Sequence, residues 1–416
     1  MAFLLFSLLF MIALAQADEA GAAGTSAPDY PRDQVSISSP AYCSTISGKT
    51  PLSICAPGLT SATVKCWKQG DGFGADSTVG KITLDDQGHG TIDFPADDYP
   101  HGPITVRITG TNWTTRDNCY LQLYNKGGVI WNQGMPGSPP PEAEGMRLVF
   151  ADDFNRPLSI SGQDPQATYF DHKPGGGDFG LLAFTGHHDP NDPFSQVDSY
   201  LRIRANQKTN STGLISSLKG DDRGIKATVP CYFECRFIAP SAPGTWPAFW
   251  IMTDYMTDRL KGLDAPVDEF DIMEGYGGEG PRQPTSTGDT SKAVYRVTSH
   301  FWGQGAAGDA QRGIQDPIYQ RQIGGKSAWW ETFHTYGCKI TPSDTIYYCD
   351  HVEVGRHPTG AVSKRYPFFF LINLAVGGNG WPTDLSRYNG LADMYVDYVR
   401  VYSGAPAPSS STTAQK

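Results

Sequence analysis

The stretch from Asp268 to Glu274 constrains this chain more than any other. It sets Glu269, Asp271 and Glu274 within six residues of a strongly apolar, strand-like run. Carboxylates that close repel one another and resist burial, so folding alone does not call for them. Side chains on a strand alternate faces, so Glu269 and Asp271 share one. Glu274, five residues after Glu269, would point the other way on a regular strand. One extra residue in a β-bulge restores the phase, and the spacing predicts that bulge at Ile272-Met273. The two glutamate Cα atoms are then roughly 13 Å apart, at about 3.3 Å per residue over about four effective steps. A solvated polar strand face is the plainer reading of such acidic alternation, and the surrounding sequence decides between the two.

If both glutamate side chains lean inward by about 4 Å, their carboxyls reach the separation of about 5 Å that double displacement at a glycosidic bond requires. One then attacks the anomeric carbon. The other donates a proton to the leaving oxygen and later activates water. Asp271, on the same face between them, couples their titrations and helps one stay protonated while the other is charged.

The run Glu269-Phe-Asp271-Ile-Met-Glu274 resembles the E-x-D-x-x-E signature of glycoside hydrolase family 16, in the bulged form of laminarinases. Leu148–Phe154 is similar to that family's opening strand, and Gly244–Trp250 to the aromatic strand before the catalytic one. Phe333–Tyr336, Asn373–Gly378 and Met394–Tyr402 match later strands in the expected order. The resemblance covers about Met146 to Ser403. It implies Glu269 as nucleophile, Glu274 as acid/base and Asp271 as the assisting acid. It also implies a jelly-roll β-sandwich with a cleft along one sheet, and a secreted retaining endo-β-glucanase acting on β-1,3 or mixed β-1,3/1,4 glucan. Other outcomes on the same site are a transglycosylase, an agarase- or carrageenase-like hydrolase of another polysaccharide, and a non-catalytic glucan-binding protein. Both glutamates are present, which favours an enzyme. The segments Asp171–Pro193 and Gln304–Gln322 are expected to set the substrate.

The rest of the chain reads as all-β. Ser199–Arg204, Cys231–Phe237 and Thr345–Cys349 alternate with period two. Pro367–Val376 is apolar almost throughout and so reads as a strand buried on both faces. No long amphipathic helix is evident. Gly134–Gly145 is a proline-rich, semi-rigid linker. Before it, residues 34–133 carry short alternating segments such as Ala62–Trp67 and Ile104–Ile108, the pattern of a small immunoglobulin-like β-sandwich. That module is a candidate for carbohydrate binding through Trp67, Trp113 or Trp131, although core or linker packing is the commoner use of such tryptophans. Residues 404–416 read as a disordered tail.

Sugar rings pack on aromatic faces while their hydroxyls reach polar neighbours. Trp246, Trp250, His300, Trp302 and Trp381 are therefore the substrate-binding candidates. Trp246 and Trp250 share a strand face and are equally readable as core. No cofactor is required. The resemblance implies at most a structural Ca2+ held by Asp397, a residue that on spacing alone is merely exposed. The eight cysteines suit an oxidising compartment. If Ser343-Asp344 is a two-residue turn, Cys338 faces Cys349 and the two are expected to form a disulfide. No C-x-x-C or paired-histidine spacing supports zinc.

Net charge is −10 with no basic block, which argues against nucleic acid as a partner. A neutral polysaccharide needs no charge match. Phe3–Leu14 followed by Ala15-Gln16-Ala17 reads as an export signal cleaved after Ala17, though it lacks a basic n-region. The expectation is a secreted (extracellular or periplasmic) monomer with no membrane attachment after cleavage. Gly275–Gly280 fits G-x-G-x-x-G formally, but Pro281 and Pro284 follow it and prevent a phosphate-cradling helix.

Overall fold

The computed structural model describes residues 30–67, 77–130, 134–277, 294–303, 312–324, 327–378 and 383–404. The segment read above as an export signal, residues 405–416, Trp131, Trp381 and part of the Gln304–Gln322 segment lie outside these residues. Among the described residues the only α-helix is the four-residue Met256–Arg259. The other regular elements are strands and short 3-10 turns.

Two sheets make the larger unit. The six-stranded sheet runs in the order Leu214–Ser216, Phe368–Val376, Thr245–Thr253, Val267–Gly275, Val294–Trp302, Arg312–Tyr319. All its pairings are antiparallel. The second, ten-stranded sheet centres on Leu391–Gly404, flanked by Tyr200–Asn206, Cys231–Ile238 and Met146–Asp152. Inward-facing Phe249, Ile251, Phe270, Ile272 and Phe370 of the first sheet meet Phe233, Phe237, Met394, Val396 and Val399 of the second in one buried core. This is the all-β sandwich expected from the alternating pattern, in the jelly-roll form that the family resemblance implies. Phe368–Val376 is buried at every position. Its second face is covered too, because Phe369 and Leu371 pack with Trp250, Phe184 and Leu214.

Residues 36–125 build two smaller sheets. One is ordered Ser36–Ser39, Lys49–Cys55, His89–Pro95. The other is Ser44–Ile46, Arg116–Asn125, Gly102–Thr111, Ser61–Cys66, Ser77–Thr83. They pack on the outer face of the ten-stranded sheet, away from the acidic strand. Gln122 Nε2 donates to the Asp393 carbonyl at 2.8 Å, and Asp393 N returns a bond to Gln122 Oε1 at 3.2 Å. Asp198 accepts from Tyr124 Oη (2.5 Å), Lys126 Nζ (2.6 Å) and His101 Nε2 (3.1 Å). Arg387 pairs with Asp117 and donates to the Val35 carbonyl.

The 134–145 segment is not a free spacer. Arg400 sits under it and donates to the carbonyls of Pro136 and Ser138. Ala143 packs between Tyr232 and Tyr402. A buried guanidinium needs acceptors, and the proline-rich carbonyls supply them.

The expected Cys338–Cys349 disulfide is not formed, and both thiols are free. Cys338 faces Tyr347, and Cys349 faces Tyr336. The two-residue turn is Pro342-Ser343, closed by Thr341 N bonding to the Asp344 carbonyl at 2.8 Å. Proline presets the dihedral required at the first turn position, which moves the register by one step from a Ser343-Asp344 turn and separates the cysteines diagonally.

Arg400 and Glu234 form an ion pair at 2.6 Å with side chains only 2% and 0% exposed. Replacing Arg400 by Met strands the Glu234 charge in the interior. The substitution is expected to lower stability by about 3–5 kcal/mol in urea unfolding. A loss below about 1 kcal/mol would mean that water reaches the pair.

Candidate active site

The acidic strand Val267–Gly275 is held between Thr245–Thr253 and Val294–Trp302. On one side Glu269, Asp271 and Glu274 stand opposite Met252, Trp250 and Ala248. On the other they stand opposite His300, Thr298 and Arg296. Those partners are every second residue of their own strands, so the three acids share one face. The register shifts between Asp271 and Glu274, where Ile272 and Met273 together oppose the single residue Val297. Both bulge side chains are fully buried in the core between the sheets. Two consecutive apolar residues satisfy this because a bulge turns both toward one side. The bulge is therefore where the acid spacing predicts it.

Each acid has its own donors. Trp302 Nε1 donates to Glu269 Oε2 at 3.2 Å. Trp246 Nε1 donates to Glu274 Oε1 at 2.9 Å, and the Tyr276 hydroxyl bonds the same carboxyl. His300 Nε2 lies 3.2 Å from Asp271 Oδ2, and its ring stacks on Trp302 with centroids 5.2 Å apart. One carboxylate oxygen each of Glu269 and Asp271 and one ring nitrogen of His300 lie within 4.8 Å of one another.

Burial first, and then the neighbouring Asp271 charge, push Glu269 up to about 8; His300 and the Trp302 N–H act the other way. Burial raises Asp271 to about 7. Burial and Asp271 raise Glu274 to about 7 as well, against its bonds from Tyr276 and Trp246. Taken singly, these values would protonate Glu269 more readily than Glu274. That order is the reverse of the roles the family resemblance implies, and the roles are therefore not read from these shifts.

The remaining candidates divide. Trp302 is 37% exposed and presents a face to solvent beside Glu269. Trp246 is half-buried against Glu274, with Phe179 edge-on to it. Trp250 is only 6% exposed. Its indole N–H is spent on Asn373 Oδ1 at 2.8 Å, and Phe179 packs edge-on against it, so it serves as floor and offers a sugar little surface. Asn373 is a buried amide that also donates to the Trp246 carbonyl. Tyr276, Phe179 and the Arg296–Gln315 pair (3.1 Å) complete the acidic face. Sequence reasoning did not single them out. Arg296 shares parity with Thr298 and His300 and could have been found by alternation, whereas nothing local marks Phe179.

The surroundings of Asp397 do not fit a Ca2+. Arg236 Nη1 pairs with its Oδ2, and Gly134 N donates to Oδ1 at 3.0 Å. Ca2+ needs about six to eight oxygen ligands, and a guanidinium occupies the direction a cation would take.

A model of the family described as "Glycosyl hydrolases family 16" matches residues 194–400. The sandwich domain of this chain belongs to that family, and its Met146–Asp152 strand extends the sheet beyond the matched segment. An endo-1,3-1,4-beta-glycanase of Rhizobium meliloti is 30% identical over 221 residues, 51% of this chain and 40% of that protein. A glucan endo-1,3-beta-glucosidase of Niallia circulans is 26% identical over 293 residues, 64% of this chain and 39% of its own length. The chain thus spans well under half of either relative. The catalytic domain of an endo-1,3-beta-glucanase (laminarinase) from Thermotoga petrophila aligns with a TM-score of 0.45 at 20% identity, covering 63% of this chain and 99% of that one.

Raised carboxyl pKa values carry a stability cost with a definite sign. In the unfolded chain these groups titrate near 3.8 and 4.5, and in the folded chain near 7 to 8. Between those limits the folded state holds protons that the unfolded state gives up, so stability falls as pH rises through the window. Asp271→Asn removes one of the charges. It is expected to raise the thermal midpoint relative to wild type at pH 8, with the difference shrinking toward pH 4. A difference that stays constant from pH 4 to pH 8 would contradict this.

Proposed function

We propose that this chain is a retaining endo-β-glucanase that hydrolyses β-1,3 or mixed β-1,3/1,4 glucan. The observation that carries the reading is the bulge, which brings Glu269 and Glu274 onto one face around Asp271. The names borne by the relatives, glucan endo-1,3-beta-glucosidase and endo-1,3-1,4-beta-glycanase, support the substrate class.

In the first step Glu269 attacks the anomeric carbon and forms a glycosyl ester, while Glu274 gives its proton to the departing glycosidic oxygen. Burial and the Asp271 charge raise both glutamates, against His300 and the Trp302 N–H at Glu269 and against Tyr276, Trp246 and His300 at Glu274, so the division of roles follows the E-x-D-x-x-E motif and not these shifts. In the second step Glu274, now ionised, takes a proton from water. The water attacks the anomeric carbon and frees Glu269, so configuration is retained. Trp302, stacked on His300, is the aromatic platform beside the nucleophile.

The same reading makes the protein a secreted monomer whose Met1–Ala17 segment is removed on export. Residues 34–133 form its immunoglobulin-like module. Trp113, 99% exposed, is that module's candidate carbohydrate platform.

Digestion of a polysaccharide panel with product sizing tests the activity. Glu269→Ser is expected to lose at least about 10³-fold in rate on the preferred glucan, and near-normal hydrolysis by that variant would remove Glu269 from the nucleophile role. Trp302→Ala is expected to raise KM by about tenfold, the loss of about 1.4 kcal/mol of stacking and hydrogen bonding. An unchanged KM would place the sugar elsewhere.

A further inference from the structure

The catalytic strand ends at Gly275, but its register runs on. Ala248 stands opposite Glu274, and the Gly277 N–H donates to the Thr245 carbonyl at 2.8 Å. By the same count Trp246 stands opposite Tyr276, and their ring centroids lie 6.0 Å apart. Tyr276, two residues past Glu274, therefore keeps to the face that carries the acids. Its backbone is held from behind. A Cβ at Gly277 would collide with the Ala242 carbonyl oxygen, itself fixed by Thr245 N at 3.0 Å and Thr245 Oγ1 at 2.6 Å. Only 8% of Tyr276 is exposed, so its ring offers a sugar little surface.

Trp246 and Tyr276 thus flank one carboxyl with different chemistry. An indole nitrogen can only donate, and Trp246 Nε1 does so to Glu274 Oε1 at 2.9 Å. The carbonyl oxygen of a protonated acid is its better acceptor, so Oε1 takes that part and the proton belongs on Oε2. The Tyr276 hydroxyl bonds the same carboxyl, and a phenol can both accept and donate. Burial first, and then the Glu274 carboxyl, hold the phenol's own pKa well above 10, so it keeps its hydrogen throughout.

We infer that Tyr276 is a positioning residue that acts through Glu274. Its hydroxyl accepts the hydrogen bond of the Oε2 proton while Glu274 is the acid, and turns to donate to the carboxylate once that proton has gone. The proton passes from Oε2 to the glycosidic oxygen as the anomeric C–O bond breaks and the Glu269 ester forms. Nothing passes through the phenol. In the second step the carboxylate takes a proton from water, and the hydroxyl turns back. A fixed donor such as Trp246 serves the ionised acid best, whereas a hydroxyl that rotates serves both states. The inference rests on the double-displacement reading above.

Tyr276→Phe keeps the ring and removes only the hydroxyl. Its kcat/KM on the preferred glucan and on a dinitrophenyl oligoglucoside tests the inference, because dinitrophenolate departs without needing a proton. The variant is expected to lose about tenfold on glucan and less than about twofold on the aryl substrate. Removing a donor from the carboxylate raises its proton affinity, so the alkaline limb of kcat/KM on glucan is expected to move up by about one pH unit. Equal losses on the two substrates, as a merely structural role would give, no loss on glucan, or an alkaline limb that stays in place would each overturn the inference. Glu274→Ala is the reference, expected to lose about 10²-fold or more on glucan and far less on the aryl substrate. If Glu274→Ala loses both alike, the acid/base assignment fails and the role of Tyr276 falls with it. If Glu274→Ala discriminates and Tyr276→Phe does not, only the role of Tyr276 falls.

Discussion

The whole site depends on one irregularity in hydrogen-bond register. Where Ile272 and Met273 oppose a single residue, the strand takes an extra step and Glu274 comes round to the face already holding Glu269 and Asp271. The apolar pair stabilises this arrangement because both side chains reach the core between the sheets. Without that step, Glu274 would be driven into the core as an unpaired charge, at a cost no sandwich of this size would tolerate. The bulge is therefore at once a packing solution and the device that assembles the acids.

Once assembled, the acids need a surrounding that is dry yet supplied with donors. Phe179, Trp250 and the apolar strand Phe368–Val376 exclude water from beneath the cleft. Trp302, Trp246, Tyr276 and His300 supply hydrogen bonds from above and beside it. Burial raises all three carboxyls, and the donors pull part of the way back. A site in which proton affinity is this evenly contested can pass a proton between its carboxyls near neutral pH. The opposite face of the sandwich is specialised for holding parts together. Arg236–Asp397, Arg400–Glu234 and Arg204–Asp393 are ion pairs on the ten-stranded sheet, covered by the 134–145 segment and the 36–125 sheets.

The sequence made local, periodic features legible. Alternation marked the strands, and the odd spacing of Glu269 and Glu274 located the bulge, because parity on a strand is strict arithmetic. Features that depend on distant segments were not legible. Asp397 reads as an exposed strand acid until Arg236, 161 residues away, is seen to hold it. Trp250 has the right parity for the cleft, yet Phe179 from a remote loop and Asn373 from the neighbouring strand make it floor. The Cys338–Cys349 pairing failed on a single turn, where Pro342 and not Asp344 fixes the hairpin. The proline-rich segment looked like a spacer because nothing in it reveals the buried Arg400 that draws in its carbonyls.

The central claim is that the bulge sets two glutamates on either side of one sugar. Trapping with a 2-deoxy-2-fluoro glucanoside, followed by peptide mass spectrometry and a structure of the trapped enzyme, tests it most directly. The account predicts a glycosyl ester on Glu269, with the Glu274 carboxyl about 5 Å from it across the anomeric centre. An ester on another residue, or carboxyls about 9 Å apart as an inverting enzyme would place them, would contradict it.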